Sequence, residues 1–288
     1  MNEFVEQSSF FSSTNGIDEL LNIPEIVFVV PYRDREQHKT FFTRYMKDYI
    51  LQVVKKRWQI LYIHQCDKRQ FNRGAMKNMG FVYLKEKYPS HYKDITIVFN
   101  DVDTVPYKQG LLNYDTTSGT IKHFFGFTFA LGGIVSIKAG DFEMLNGFPN
   151  LWGWGFEDNE LQIRVKEMFS ADAIDRRNFY PFDNPNILTI FHGFNKEVSN
   201  KQKEEYGNVA LRRRPRNAKY WNGLNTIRDY KYNEKELEDS VIMVNIEKFQ
   251  TLHDDKRYND IATVDSSKTV IRISSKPRPK IPMFVGRR

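Results

Sequence analysis

The sequence predicts an α/β protein built on a mostly parallel central sheet, and three observations carry that expectation. Apolar runs rich in β-branched and aromatic residues recur at Ile26–Val30 (IVFVV), Trp58–His64 (WQILYIH) and Asp94–Asn100 (DITIVFN). Runs of this kind suit strands covered on both faces. Between them, apolar residues return at spacings of three and four, first Phe42, Met46, Tyr49 and Val53, then Ala75, Met79, Val82 and Tyr83, as on one face of a helix. Charged residues then gather where runs end, Arg33 and Arg35 after the first, Asp101 and Asp103 after the third. In open α/β sheets that edge is where ligands bind.

Further along, Thr104 to Ala130 shows no regular pattern. The pair Gly132-Gly133 opens a strand, IVSI, and a short helix from Asp141 to Asn146 ends at Gly147. Leu161, Val165 and Met168 predict a helix from Glu157 to Phe169, with its acids at the N-terminus, where the helix dipole favours ionised carboxylates. Short strands follow at Ile187–Phe191 and Val241–Ile246. The expected organisation is a loosely held start over residues 1–23, one domain over 24–250, and a basic extension over 251–288.

At 288 residues with 40% hydrophobic content, the chain can bury a substantial core. The net charge of +7 is unevenly placed: residues 196–219 hold eight Lys/Arg against three acids, and 266–288 hold seven against none. The remainder is mildly acidic, which weighs against a nucleic-acid-binding body and leaves that function as an alternative. Cys66 is the single cysteine, so no intramolecular disulfide forms and a reducing compartment is favoured. No apolar run reaches the roughly 18 residues of a membrane span.

The most unusual stretch is Phe148–Glu160, FPNLWGWGFEDNE. Trp152 and Trp154 offer flat apolar faces, and Glu157, Asp158 and Glu160 offer carboxylates. Together these suit sugar binding, and a carboxylate so placed can take a proton from an attacking hydroxyl. The alternative is that the rings are core anchors and the acids simply open a helix. Asp101 and Asp103 bracket Val102 at a strand exit and could share a divalent cation. His192 follows a strand and could be a ligand or a structural residue. The basic stretch after it reads as a long loop of the kind that serves as a lid.

Five blocks together resemble the β-1,4-galactosyltransferase family: PYRDREQH (family PFRNREEH), FNRGAMKNMGF (FNRAKLLNVGF), FNDVDTVP (DVDLIP), NGFPNLWGWGFEDNE (NGFPNNYWGWGGEDDD) and GLNTI (GLNSL). They run in family order from Ile26 to Asn225. The resemblance implies a GT-A, Rossmann-like fold and an inverting, metal-dependent transferase using manganese, or magnesium, and a UDP-sugar. By resemblance, Pro31, Arg33, Arg35, Phe71, Asn72, Arg73, Asp101, Val102, Asp103, Ala130, Gly133, Trp154 and His192 bind the donor. Asp103 and His192 hold the metal. Trp154, Phe156, Glu157, Asp158 and Asn159 bind the acceptor, with Asp158 as catalytic base. The partners implied are UDP-galactose or UDP-N-acetylgalactosamine and a glycan, glycolipid or glycoprotein acceptor.

Three departures qualify the resemblance. Thr189 stands where vertebrate members have a methionine ligand. Asn159 and Glu160 replace two aspartates. Ala130 replaces a tyrosine that crowds the sugar's 2-position, which leaves room for an N-acetyl group. The missing anchor and disulfides suggest a soluble, cytoplasmic relative from a bacterium, protist or virus, with a piece of a Golgi-type enzyme as the alternative. A catalytically weak, carbohydrate-binding family member is the other alternative. A glycosidase using Glu157 and Asp158 is disfavoured, because adjacent residues at a helix start do not flank one bond at the roughly 5 Å or more required.

Overall fold

A computed structural model describes residues 23–191, 193, 195–199, 222–254, 256 and 262–265. Strand β1 (Ile26–Tyr32) is buried along its whole length, as a continuous apolar run requires. Because side chains alternate along a strand, it feeds two cores. Val27 and Val29 pack with Ala75, Met76 and Met79 of helix α2 (Arg73–Lys87). Ile26, Phe28 and Val30 pack with Phe42 and Met46 of helix α1 (Glu36–Asp48), on the other face. Strands β2 (Trp58–Gln65) and β3 (Thr96–Asn100) flank β1 in parallel, with Ile26 opposite both Trp58 and Thr96.

The rest of the chain comprises β4 (Thr104–Pro106), β5 (Ile121–Gly126), β6 (Ile134–Lys138), α3 (Ala139–Met144), α4 (Glu157–Met168), β7 (Ile174–Asp175), β8 (Tyr180–Pro181), β9 (Ile187–Thr189), β10 (Asn195–Val198), β11 (Arg228–Glu238), β12 (Val241–Gln250) and β13 (Ala262–Asp265). The main sheet runs β11-β12-β2-β1-β3-β6-β5-β7, with β8 beside β5. Its centre, β12-β2-β1-β3, is parallel. Strand β6 turns antiparallel to both β3 and β5, and β11 is antiparallel to β12. The expected α/β architecture is present, as a mixed sheet.

Several boundaries differ from the sequence reading. Tyr49 and Val53, expected on the buried face of the first helix, are 41% and 49% exposed. Helix α1 stops at Asp48, and a single 3-10 turn over Ile50–Val53 shifts the register, so Ile50 and Leu51 are buried instead. The third strand starts at Thr96, since Asp94 lies in a 3-10 turn. The span from Thr104 to Ala130, read as irregular, contains β4 and β5. The basic stretch after residue 192 is not loop throughout, because β10 pairs antiparallel with β13. The loosely held start, the remainder of the expected lid and the basic C-terminal arm fall outside the described residues. Among the described residues no helix is long and apolar enough to cross a membrane.

Candidate active site

The site forms where β1, β3, α2 and α4 end or begin together. At the exit of β1, Pro31 is buried and Arg33 lies over the Phe71 ring, 5.1 Å from its centroid. The same guanidinium donates from Nη1 to the Arg69 carbonyl at 2.6 Å. Arg35 stands at the position preceding α1, with no capping bond from its side chain. Asn72 caps α2, its side chain accepting from the Ala75 amide at 2.9 Å, which is what places Arg73 and Lys77 on the first turns. The FNR and WGWG blocks then meet directly: the Gly153 amide donates to the Phe71 carbonyl at 3.2 Å, and Asn72 and Gly153 form a parallel bridge.

The exit of β3 is held by Asn100, whose side-chain amide donates to the carbonyls of Asp101 and Thr104, both at 2.8 Å. The Asp101 amide donates to the Gly133 carbonyl, joining this turn to the paired glycines. Val102 is buried. The Asp103 carboxylate accepts from Thr104 Oγ1 at 3.1 Å, while its carbonyl accepts from the Ile190 amide at 2.7 Å. Thr189 sits opposite Thr104 in the β4–β9 ladder. The segment leading to His192 therefore runs beside Asp103; His192 itself is outside the described residues.

The two tryptophans part company. Trp152 is fully buried, stacked on Phe249 and Arg69, with Nε1 donating to the His253 carbonyl at 2.8 Å. Of the two readings the sequence leaves open for Trp152, cleft surface and core anchor, the structure shows the core anchor. Trp154 is 41% exposed, with the Lys196 ammonium of β10 at 4.0 Å from its ring centroid. Gly153 (φ 84°) and Gly155 (φ 115°) make the turns that separate the two rings, and Phe156 follows at φ 70°. A left-handed aromatic residue is rare and costs energy that surrounding structure must hold. Here it aims the start of α4 into the cleft.

At that start Glu157 is 3% exposed, 3.8 Å from Arg73 Nη1. Asp158 Oδ1 accepts from Lys77 Nζ at 2.8 Å, and the Asp158 carbonyl accepts from the Leu131 amide at 3.0 Å. This last bond brings the Ala130–Gly133 segment, with Ala130 buried, against the proposed base. A Cβ at Gly132 would lie 2.3 Å from Asp158 Oδ2, so a larger residue there would have to displace that carboxylate. Asn159 donates to the Phe129 carbonyl at 3.2 Å. Glu160 belongs elsewhere: it is 6% exposed and paired with Arg164, which also donates to the carbonyls of Gly147 and Asn222.

Electrostatics tie these residues into one constellation. Burial alone would lower the Arg73 guanidinium, but the charges of Asp101, Glu157, Asp158 and Asp103 outweigh it and push it up. Burial pushes the Asp101 carboxyl up, against the pull of Arg73 and Lys77. It pushes Glu157 up as well, reinforced by Asp158, the opposite direction to that expected from the helix dipole. Asp101, Asp103, Glu157 and Asp158 thus gather around Arg73 and Lys77, with Lys196 beside Arg73, a carboxylate-rich site that a divalent ion would complement. No three Asp, Glu, His or Cys side chains converge to hold a metal by themselves among the described residues. Among the described residues the buried Asn72 Nδ2 has no hydrogen-bond partner, a donor suited to a ligand oxygen.

Sequence reasoning missed Lys77, Lys196 and Gly132. A lysine amid the apolar face Ala75, Met76 and Met79 was the available signal for the first.

Two family models match in succession: the N-terminal region of glycosyl transferase group 7 over residues 19–114 and the N-terminal domain of galactosyltransferase over 122–192. Together they span more than half the chain. β-1,4-Galactosyltransferase 4 of Cricetulus griseus is 29% identical over 161 residues, 52% of this chain and 44% of that protein. The xylosylprotein 4-β-galactosyltransferase of Caenorhabditis elegans is 28% identical over 236 residues, 77% of this chain and 78% of that one. The chain thus spans about half the length of the first of these relatives. A solved structure of Drosophila β-1,4-galactosyltransferase 7 in complex with manganese, UDP-Gal and xylobiose superposes with a TM-score of 0.59, 22% identity, and coverage of 82% of this chain and 98% of that one. The fold is therefore that of the GT-A galactosyltransferases, and with both family regions matched in order the chain belongs to the β-1,4-galactosyltransferase family.

Proposed function

We propose that this protein is an inverting glycosyltransferase that moves galactose or N-acetylgalactosamine from a UDP-sugar to a hydroxyl of a glycan acceptor, forming a β-linkage. The observation that carries this is the convergence of Asp101, Asp103, Glu157 and Asp158 on Arg73 at one sheet edge, beside the exposed Trp154. Arg33 on Phe71 supplies a flat cationic shelf for a nucleotide, and Arg35 and Arg73 supply charge for phosphate oxygens. Asp103, with His192, would hold a manganese ion, which when bound stabilises negative charge on the departing diphosphate.

In the reaction, the acceptor oxygen bonds to the anomeric carbon from the face opposite the diphosphate, and UDP leaves with the electrons of the broken bond. Asp158 takes the hydroxyl proton as that oxygen attacks. Trp154 covers the apolar face of a pyranose and excludes water from the junction. The relatives named for xylosylprotein, or solved with xylobiose, make a β-xyloside the first acceptor to try. Ala130 in place of a tyrosine supports an N-acetylhexosamine donor, and a strong preference for UDP-galactose in side-by-side assays would refute that part. A reducing compartment is supported by the single cysteine, Cys66.

The test is UDP release by purified protein with manganese, a panel of UDP-sugars and xyloside or N-acetylglucosaminide acceptors. Asp158→Asn should lower turnover about 10³-fold while donor binding survives. Absence of release from every donor would overturn the reading.

A further inference from the structure

Lys77 is a buried cation that nothing in the proposed reaction yet uses. It projects from the second turn of α2, is 2% exposed, and lies over the Phe148 ring at 4.5 Å. The family block FNRAKLLNVGF carries leucine at this place, so a packed helix face would need no charge. An ammonium removed from water is costly unless paired, and here the pair is the proposed base itself, at 2.8 Å. We propose that Lys77 is a positioning residue, a buried ammonium that fixes Asp158 for proton abstraction.

The geometry gives each part of Asp158 its own restraint. Oδ1 is taken by Lys77, the backbone carbonyl by the Leu131 amide, and Oδ2 rests against Gly132, where an added Cβ would press on it. Among the described residues no donor is bonded to Oδ2, so its lone pairs are those left for an incoming hydroxyl. Its neighbours single Lys77 out. Asp158 shares its surroundings with Glu157 on its own helix and with Arg73 on α2, while Asp101 at the exit of β3 faces Lys77 and Lys196 of β10 faces Arg73. In that crowd of carboxylates, Lys77 is the cation bonded directly to the base.

This inference rests on the transferase reading for its consequence, but the pairing is testable without it. Wild type, Lys77→Met and Lys77→Arg are compared for kcat and KM with manganese and the best UDP-sugar, and for UDP affinity by calorimetry. Lys77→Met should lower kcat at least about 10-fold with donor affinity within about twofold of wild type, and Lys77→Arg should recover part of that loss, because a planar guanidinium keeps the charge with a different reach. A folded Lys77→Met with wild-type kcat, or one whose donor affinity falls as far as its kcat, overturns the positioning role. If Lys77→Met does not fold, Lys77→Gln decides by the same split. A double-mutant cycle of Lys77→Met and Asp158→Asn in urea unfolding reads the pair itself and should be non-additive; additive effects overturn the pairing, and non-additive effects in a protein that transfers no sugar keep the pair and refute the transferase reading.

Discussion

Trp152 and Trp154 stand two residues apart in a repeated Trp-Gly dipeptide, yet they do opposite things. One is 0% exposed with its indole nitrogen bonded to a carbonyl, and the other is 41% exposed with a lysine over its face. Gly153 in a left-handed conformation lies between them, and the chain turns so that one ring enters the core and the other faces the cleft. A repeated dipeptide is therefore one anchor and one working surface. The anchor holds the backbone from which the working surface projects.

The sharpest way to break this contrast is at the anchor. Trp152→Ala removes a fully buried indole and should cost about 3–5 kcal/mol, read as a fall in Tm of roughly 10 °C. Trp154→Ala should do the reverse, changing stability by less than about 1 kcal/mol while lowering kcat/KM about 100-fold in the transfer assay. A Trp154 variant as unstable as the Trp152 one would erase the distinction.

A third ring, buried like Trp152, sharpens the comparison through pH. His123 is fully buried, with Nε2 against the carbonyls of Phe125 and Gly132 and Nδ1 accepting from Arg176 Nε. Burial, then the Arg176 charge, lower it from 6.5 to about 4. Between those two values the unfolded chain binds a proton that the folded one refuses, so stability falls as pH drops from 6.5 toward 4. The slope is at most about 1.4 kcal/mol per pH unit. Urea unfolding at pH 7 and pH 5 should show this loss, and His123→Gln should flatten it. The smallest effect is expected at Lys196→Ala, worth less than about 1 kcal/mol and visible as easier acrylamide quenching of Trp154.

What was legible in the sequence follows from how strongly local chemistry dictates structure. β1, β2 and β3 could be read because burial on both faces demands continuous apolar residues. β11 could not, because RDYKYNEKELE is exposed along nearly its whole length and owes its conformation to pairing with β12. Likewise the five motif blocks named Asp103, Trp154 and Asp158, but not which tryptophan would be buried. The Lys77–Asp158 contact joins residues 81 positions apart, and only the tertiary arrangement brings them within reach.

β11 also bears on how copies of this molecule meet. As the outermost strand of the main sheet, it presents a rim studded with Lys231, Glu234, Lys235, Glu236 and Glu238. A second copy adding its own strand there would have to strip water from that row of charges. Charged edge strands oppose such stacking, so crowded solutions of this protein should resist fibre growth along the sheet.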